Sequence, residues 1–225
     1  MTDQNPICLM HIGKTGGSFL RSIIRHNVDL GTSDLRLLKH QGNLRSSARH
    51  HGATRKLAFV IRDPETRFLS GFYSRLRQGR PTYDFPWSGE EATAFSFFAT
   101  ANDLAEGLDS MDERLKSAAR FAMGAIQHLH LNYQYYFESV EALLAERSQI
   151  TVCIDLPRLN KNLDEVMSRL GFDDYQMPHR PVLHASPTPP PALSGAGKAA
   201  LREFWAEEWV LYDAALQLAQ DQFPD

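Results

Sequence analysis

Short apolar runs alternate along the chain with longer segments of helical spacing. Four of these runs are typical of buried strands, and they cover residues 6–11, 35–38, 56–61 and 150–154. Apolar residues that recur every three or four positions predict helices over 18–27, 65–76, most of 90–146, 159–170 and 197–220. Because helices separate the strands, the pattern predicts a central, mostly parallel sheet with helices on its faces.

We expect a single α/β domain over residues 1–225, since this length is compatible with one hydrophobic core. Residues 79–146 contain an aromatic loop and then a mainly helical stretch, so they are predicted to form an insertion that contributes to a substrate site. A proline-rich stretch over 177–197 predicts an extended loop.

A glycine-rich turn follows the first predicted strand and precedes the first helix. This order is typical of phosphate sites, because the amide groups of the turn and the positive end of the helix face the same point. A lysine adds full charge, hydroxyl side chains add donors, and glycines let the backbone approach a ligand closely. Ser18 is also predicted to cap the helix. The candidate ligands of an anion are Gly13, Lys14, Thr15, Gly16, Gly17 and Ser18.

A second candidate anion site follows the strand predicted at 56–61. Arg62 stands at the end of this strand, and Ser70 follows eight residues later in the next predicted helix. Arginine offers a two-pronged donor to a phosphate, and serine adds one hydrogen bond. The alternative is that Arg62 pairs with a nearby acid such as Asp63, and that Ser70 only packs. Both motifs follow strands, so they are expected at the carboxyl edge where parallel sheets bind ligands.

Two other functions fit parts of this pattern. Gly13 and the two residues after it match the end of the G-x-x-x-x-G-K-[ST] loop of a kinase or triphosphatase that uses ATP and magnesium. Asp155 ends an apolar strand, as a magnesium-binding acid would. Cys8 occupies the position of the first glycine of that loop, which counts against this class. A non-catalytic nucleotide- or glycan-binding module is the other alternative.

The two motifs, HIGKTGGSFL and FVIRDPETRFLSGFYS, resemble the 5′-phosphosulfate loop and the 3′-phosphate motif of carbohydrate sulfotransferases. These enzymes use 3′-phosphoadenosine 5′-phosphosulfate, and the likeness is closest to those with a HIPKTGGTS-type loop, including the heparan 2-O group and bacterial relatives. The resemblance implies a P-loop-like sulfotransferase fold and in-line transfer of a sulfuryl group to a hydroxyl, with 3′-phosphoadenosine 5′-phosphate as product. It further implies that Lys14 stabilises the leaving phosphate, that the turn, Arg62 and Ser70 bind the donor, and that no metal is needed.

A histidine in the region of His40 serves as general base in the resembling family, so His40 is the candidate base here. His50 and His51, which precede the third strand, are the alternatives, since histidine is the usual base near neutral pH. Three positions depart from the family's pattern: Gly13 stands where proline is usual, Asp155 where glutamate is common and His184 where asparagine is common.

The segment after the second motif is expected to meet the acceptor. Aromatic faces suit sugar rings, and arginines suit acidic glycans. The candidate acceptor residues are Arg75, Arg77, Tyr83 and Trp87, with Arg80 nearby. The alternative is an ordinary aromatic loop that packs on the domain. The acceptor is expected to be a hydroxyl of a glycan, a lipid-linked sugar or a small molecule.

Charge and composition further restrict the classes of protein that are compatible with the sequence. Residues 1–80 hold 14 basic and 5 acidic side chains, whereas residues 81–225 hold 10 basic and 22 acidic ones. The basic excess fits an anionic ligand or solvated surface, and the net charge of −3 argues against a general nucleic-acid binder. No apolar run is long enough to span a bilayer, and the N-terminus lacks a signal-peptide pattern. With only Cys8 and Cys153, both in apolar runs, a cytoplasmic protein is expected.

Overall fold

The computed structural model describes residues 5–31, 34–179 and 188–224. The chain divides into two compact units. The first, called the sheet unit, is formed by Met1–Arg62, Tyr133–His184 and Val210–Asp225. The second, called the helical unit, is formed by Asp63–Asn132 and Ala185–Trp209. The helical unit therefore begins earlier than the predicted 79–146 insertion, ends before 146 and takes in a later segment. A single domain over 1–225 stays a prediction.

The sheet unit contains a four-stranded sheet in which every strand pairing is parallel, in the order β2-β1-β3-β4. The strands are β1 (Ile7–Leu9), β2 (Leu35–Leu37), β3 (Lys56–Ile61) and β4 (Ile150–Asp155). The predicted α/β class with a central parallel sheet flanked by helices is confirmed. β1 is shorter than predicted, although the amide of Met10 still donates to the carbonyl of Ala58 in β3, and β4 runs one residue further.

The helices also follow the predicted alternation in outline. They are α1 (Gly17–His26), α2 (Leu44–His51), α3 (Pro64–Leu76), α4 (Gly89–Phe97), α5 (Ala101–Gly107), α6 (Glu113–Ala125), α7 (Tyr133–Phe137), α8 (Val140–Ala145), α9 (Leu156–Leu159), α10 (Leu163–Arg169), α11 (Gly195–Phe204) and α12 (Ala206–Gln222). The helix predicted over 159–170 is α10, which begins four residues later than predicted because the polar residues 160–162 form a turn between α9 and α10. The helix predicted over 197–220 is two helices, separated at Trp205, whose buried ring packs edge-on against Phe68.

The order of connections creates a switch point in the sheet. β1 leads to β2 on one side of the sheet, and β3 leads to β4 on the other side, although β1 and β3 are neighbours. Helices that leave neighbouring strands in opposite directions open a crevice at the carboxyl ends of those strands, where ligands bind in open α/β sheets. The segments that begin at Met10 and at Arg62 therefore flank this position.

Each unit has its own core. In the sheet unit, the face of α1 formed by Leu20, Ile23 and Ile24 is buried against strand residues such as Leu9 and Val60. In the helical unit, the core joins α3 to α4, α5, α6 and α11. α3 begins as the sequence predicts, because Asp63 accepts a hydrogen bond from the amide of Thr66 and a proline occupies the first helical turn.

Candidate anion-binding and catalytic site

The turn between β1 and α1, residues 10–16, has a backbone conformation that suits an anion, and we call it the anion turn. Lys14 has a φ of 67° and Gly16 has a φ of 85°, so two residues of this short turn adopt the left-handed conformation. Left-handed residues in such a turn direct successive amide groups to one side, which forms a concave site for anions. A lysine in this conformation is uncommon, and such strain concentrates at functional sites. The first turn of α1 contains no acidic residue that would repel an anion.

The two glycines at the start of α1 are required by packing. A Cβ atom on Gly16 would lie 2.5 Å from Cδ1 of Leu156, and one on Gly17 would lie 2.6 Å from Cδ2 of His11. Glycine at these two positions therefore makes room for Leu156 and His11 beside the turn, in addition to the close ligand approach that the sequence predicts.

The two hydroxyl side chains of the turn differ from their predicted roles. The hydroxyl of Thr15 is buried and donates to the carbonyl of Ile12 at 3.0 Å, so its hydrogen serves the turn itself. Thr15 is thereby left with its amide as the group available to an anion. Ser18 does not cap α1: the N-cap is Gly16, and no side chain caps the helix. The amide of Phe19 already donates to the carbonyl of Gly16 at 3.0 Å, so the amides of Gly17 and Ser18 before it are the helix-terminal donors that suit a ligand.

Arg62 lies beside this turn at the end of β3. Its Nη1 donates to the carbonyl of Lys14 at 3.2 Å, which ties the second predicted motif directly to the first. Its main chain is held by the hydroxyl of Tyr133, which accepts from the Arg62 amide at 2.8 Å and donates to the Arg62 carbonyl at 2.7 Å. Ser70 lies in α3 of the helical unit. The predicted pairing of Arg62 with Ser70 on one phosphate stays a prediction.

His40 also lies at this end of the sheet. Its ring stacks on the ring of His11, with ring centres 3.9 Å apart and planes inclined by 27°. His11 follows β1 and lies against Gly17, so the stack places the imidazole of His40 close to the anion turn. By contrast, His50 and His51 form the last turn of α2, where a ring nitrogen of His50 is 2.7 Å from the carbonyl of Ser46. The geometry thus favours His40 among the three candidate bases.

Sequence reasoning missed His11, Tyr133 and Tyr136 as members of this site. The two tyrosines are fully buried on α7, and their hydroxyls bond to main-chain atoms of the candidate segments. A signal was present, because tyrosines three positions apart share one face of a helix and a buried hydroxyl requires a partner. What the sequence did not reveal was which distant segments supply those partners.

Arg75, predicted to bind the acceptor, has a structural role in the helical unit. It is fully buried, and its Nε and Nη2 each donate to a carboxylate oxygen of Glu91 at 2.7 Å. It also donates to the carbonyls of Phe85 and Pro86 at 3.2 and 3.3 Å. The guanidinium therefore stabilises the loop that contains Phe85 and Pro86. Because it is fully buried, it is not accessible to an acceptor.

The other acceptor candidates lie around the same loop. Nε1 of Trp87 donates to the carbonyl of Arg75 at 2.6 Å, and its ring stacks on Phe95. Arg77 donates from Nε to the carbonyl of Arg80 at 3.2 Å. Tyr83 lies with its hydroxyl 3.4 Å from that of Ser74. Arg77, Tyr83 and Trp87 are partly exposed, so a role in binding an acceptor stays a prediction for them.

Among residues 5–31, 34–179 and 188–224, no helix is both long and apolar enough to cross a membrane. Within that same part of the chain, no three or more His, Cys, Asp or Glu side chains are grouped so as to hold a metal ion. Asp155 is the last residue of β4, and His184, the third departure from the family's pattern, lies outside the described residues.

The chain was also compared with known proteins. It matches no protein-family model, no curated protein and no solved structure at a significant level. We therefore infer the function from the chemistry and geometry of the site itself.

Proposed function

We propose that this protein is a sulfotransferase that moves a sulfuryl group from 3′-phosphoadenosine 5′-phosphosulfate to a hydroxyl of a carbohydrate or other small acceptor. One observation carries the proposal. The anion turn after β1 and Arg62 at the end of the neighbouring β3 lie side by side at the switch point, with Nη1 of Arg62 3.2 Å from the carbonyl of Lys14. A donor with phosphate groups at both its 5′ and 3′ positions requires two such cationic sites near each other.

The residues of the turn and Arg62 have complementary roles in this proposal. The amides of residues 14–17 and the N-terminus of α1 bind the 5′-phosphosulfate group, since left-handed residues in such a turn direct amides to one side. Gly13, also predicted as a donor ligand, has its amide bonded to the hydroxyl of Tyr136 instead. Arg62 binds the 3′-phosphate, because its planar guanidinium matches the geometry of phosphate oxygens. We also propose that the chain has the P-loop-like sulfotransferase fold and that Ser70 is a further ligand of the donor.

The chemistry is an in-line displacement at sulfur. The acceptor oxygen forms a bond to sulfur as the bond between sulfur and the 5′-phosphate oxygen breaks, and the product is 3′-phosphoadenosine 5′-phosphate. Lys14 stabilises the charge that develops on the departing phosphate oxygen. His40 takes the proton of the acceptor hydroxyl, a role for which a partly exposed imidazole is suited near neutral pH.

The alternative is a magnesium-dependent kinase or triphosphatase. Cys8 occupies the position of the first glycine of the loop that such enzymes use, which counts against this class. Asp155, the candidate magnesium-binding acid, ends β4, and β3 lies between β4 and β1. The end of β3 carries Arg62, a second cationic group beside the turn that this class does not need.

A transfer assay tests the proposal. The purified chain is incubated with donor carrying a radioactive sulfate and with a panel of neutral and acidic oligosaccharides, lipid-linked sugars and simple alcohols. We expect labelled product from at least one hydroxyl acceptor, together with release of 3′-phosphoadenosine 5′-phosphate. Transfer of phosphate from ATP to the same acceptors, with no sulfate transfer, would contradict the proposal.

Replacing Arg62 by alanine is expected to weaken donor binding with a smaller effect on turnover at saturation. Charge-assisted hydrogen bonds contribute about 1.5–3 kcal/mol, which corresponds to about a 10- to 100-fold loss of affinity. Titration calorimetry with 3′-phosphoadenosine 5′-phosphate measures the change. Arg36→Ala is the matched control, since Arg36 is an exposed arginine of β2 that pairs with Asp34. Unchanged affinity in the Arg62 variant would place the 3′-phosphate site elsewhere.

A further inference from the structure

Three tyrosines of the five-residue helix α7 reach the main chain of the candidate site. Tyr133 bonds to both main-chain groups of Arg62, and the hydroxyl of Tyr135 donates to the carbonyl of Gln41 at 2.9 Å. Tyr136, fully buried, bonds to the segments that contain Gly13 and His40. One short helix thus contacts the loops that follow β1, β2 and β3. These loops carry the proposed donor ligands and the candidate base.

The hydroxyl of Tyr136 joins two of these loops at one oxygen atom. It accepts a hydrogen bond from the amide of Gly13 at 3.3 Å. It donates to the carbonyl of His40 at 3.0 Å, and the carbonyl of His11 lies 3.4 Å away. A tyrosine hydroxyl has one hydrogen and can also accept, so a single group serves both the amide and the nearer carbonyl. The anion turn and the His40 loop are thereby joined through one oxygen.

The imidazole of His40 is therefore constrained from two directions. Its ring stacks on His11, which the close approach to Gly17 holds against the start of α1. Its main chain is held by Tyr136, and the next residue, Gln41, is held by Tyr135. Tyr136 is fully buried, so an open arrangement of the loop would cost its hydroxyl a hydrogen bond that water does not readily replace. The bond from Tyr135 is exposed and adds less.

We propose that Tyr136 is a positioning residue for sulfuryl transfer, whose hydroxyl sets the place of His40 relative to the turn that carries Lys14. This inference rests on the proposed function. A general base must lie within hydrogen-bond reach of the proton that it removes. Displacement of a reacting group by about 1 Å can cost about 100-fold in rate. A hydroxyl that fixes the loop of the base to the loop of the donor therefore affects the chemical step, although it touches neither substrate.

Tyr136→Phe isolates this role, because it keeps the buried ring and removes only the hydroxyl. We expect kcat to fall about tenfold or more. Since the amides and charges that bind the donor remain, its dissociation constant should stay within about threefold of that of the wild type. The limb of the pH–rate profile that reports the base should also shift. Tyr175→Phe is the matched control, since it removes an exposed bond to Asp164 in the same unit and should leave all three quantities unchanged.

A double variant separates positioning from general destabilisation. In a His40→Ala background, Tyr136→Phe is expected to lower kcat by less than about twofold, because the group that it positions is already absent. An undiminished effect in that background would overturn the proposal, as would a loss of donor affinity as large as the loss of kcat. If Tyr136→Phe does not fold, Tyr135→Phe replaces it. That variant should lower kcat with unchanged donor affinity, and an unchanged kcat would count against the proposal.

The wild type distinguishes this inference from the proposed function. If the wild type binds 3′-phosphoadenosine 5′-phosphate and transfers sulfate, but the Tyr136 variant has the same kcat and pH profile, only the positioning role is wrong. If the wild type neither binds the bisphosphate nor transfers sulfate, the proposed function fails and the positioning role fails with it.

Discussion

Replacing Lys14 by alanine is expected to lower the turnover number by about 10²- to 10³-fold, the size of effect seen when a group that stabilises transition-state charge is removed. Its ammonium group is the only full positive charge contributed by the turn between β1 and α1. Alanine keeps the carbonyl that accepts from Arg62, so the backbone of the turn should be retained. Steady-state kinetics with saturating donor measures the change.

The control for this variant is Lys39→Ala. Lys39 is an exposed lysine beside His40, so its removal changes net charge equally without altering the anion turn. A Lys14→Arg variant should recover part of the lost rate, since it restores the charge with a different geometry. A turnover number in Lys14→Ala close to that of the wild type would remove Lys14 from the mechanism.

Replacing Arg75 by alanine is expected to lower the free energy of unfolding of the helical unit by about 3–5 kcal/mol, the cost of leaving one partner of a buried ion pair alone. Glu91 is 3% exposed and would keep only the hydrogen bonds from the amides of Gln127 and Ser88, at 3.0 and 3.2 Å. The loop that contains Phe85 and Pro86 would also lose its hydrogen bonds from Arg75. Urea denaturation followed by tryptophan fluorescence measures the loss, because Trp87 donates to the carbonyl of Arg75.

Arg80→Ala provides the contrast, since Arg80 forms an exposed pair with Asp84. Surface pairs contribute about 0–1 kcal/mol, so this variant should have a stability close to that of the wild type. A double variant with Arg75→Met and Glu91→Leu should recover much of the stability, because no buried charge is left without its partner. Equal effects of Arg75→Ala and Arg80→Ala would show that the buried pair is unimportant.

The same ion pair makes the helical unit sensitive to acid. Burial raises the pKa of Glu91, but hydrogen bonds from Arg75 and from two main-chain amides outweigh it, so the pKa lies below its ordinary value of 4.5. A lowered pKa in the folded state means that the stabilisation is present above pH 4.5 and is lost as the pH falls through the lowered value. Glu91→Gln should remove this part of the pH dependence.

The sheet could be predicted from the sequence because three of its strands, β1, β3 and β4, are mostly buried. The apolar run of β3 has the bounds that the sequence predicts, Lys56–Ile61, with five of its six residues buried. Such a run has few other stable environments in a protein of this composition. Because the strands were placed correctly, the two motifs that follow β1 and β3 could be predicted to lie at the same edge of the sheet.

The residues that hold the site together were harder to predict, because their partners are distant in sequence. Gly13 and Tyr136 are 123 positions apart, and hydrophobic periodicity does not reveal a bond between an amide and a hydroxyl. Arg75 was assigned to the acceptor because it follows the second motif. Its partner Glu91 is 16 positions away in the next helix, and only the packing of α3 against its neighbours shows that both are buried.

The structure also explains part of the basic excess of residues 1–80 over residues 81–225. The basic residues of the first 80 positions include structural ones, since Arg55 is buried against Glu146 and Arg67 against Glu208. Lys14 and Arg62 are the two to which we assign donor binding. The basic excess is thus a mixture of buried ion pairs, ligand-binding groups and exposed side chains, rather than one continuous binding surface.

Titration calorimetry with 3′-phosphoadenosine 5′-phosphate, compared with ATP plus magnesium, tests the central claim most directly. We expect saturable binding of the bisphosphate without magnesium, and affinity for ATP plus magnesium at least about tenfold weaker, because ATP lacks the 3′-phosphate that Arg62 is proposed to bind. Adenosine 5′-phosphosulfate, which also lacks that phosphate, should bind weakly as well. Tight, magnesium-dependent binding of ATP with no affinity for the bisphosphate would contradict the account.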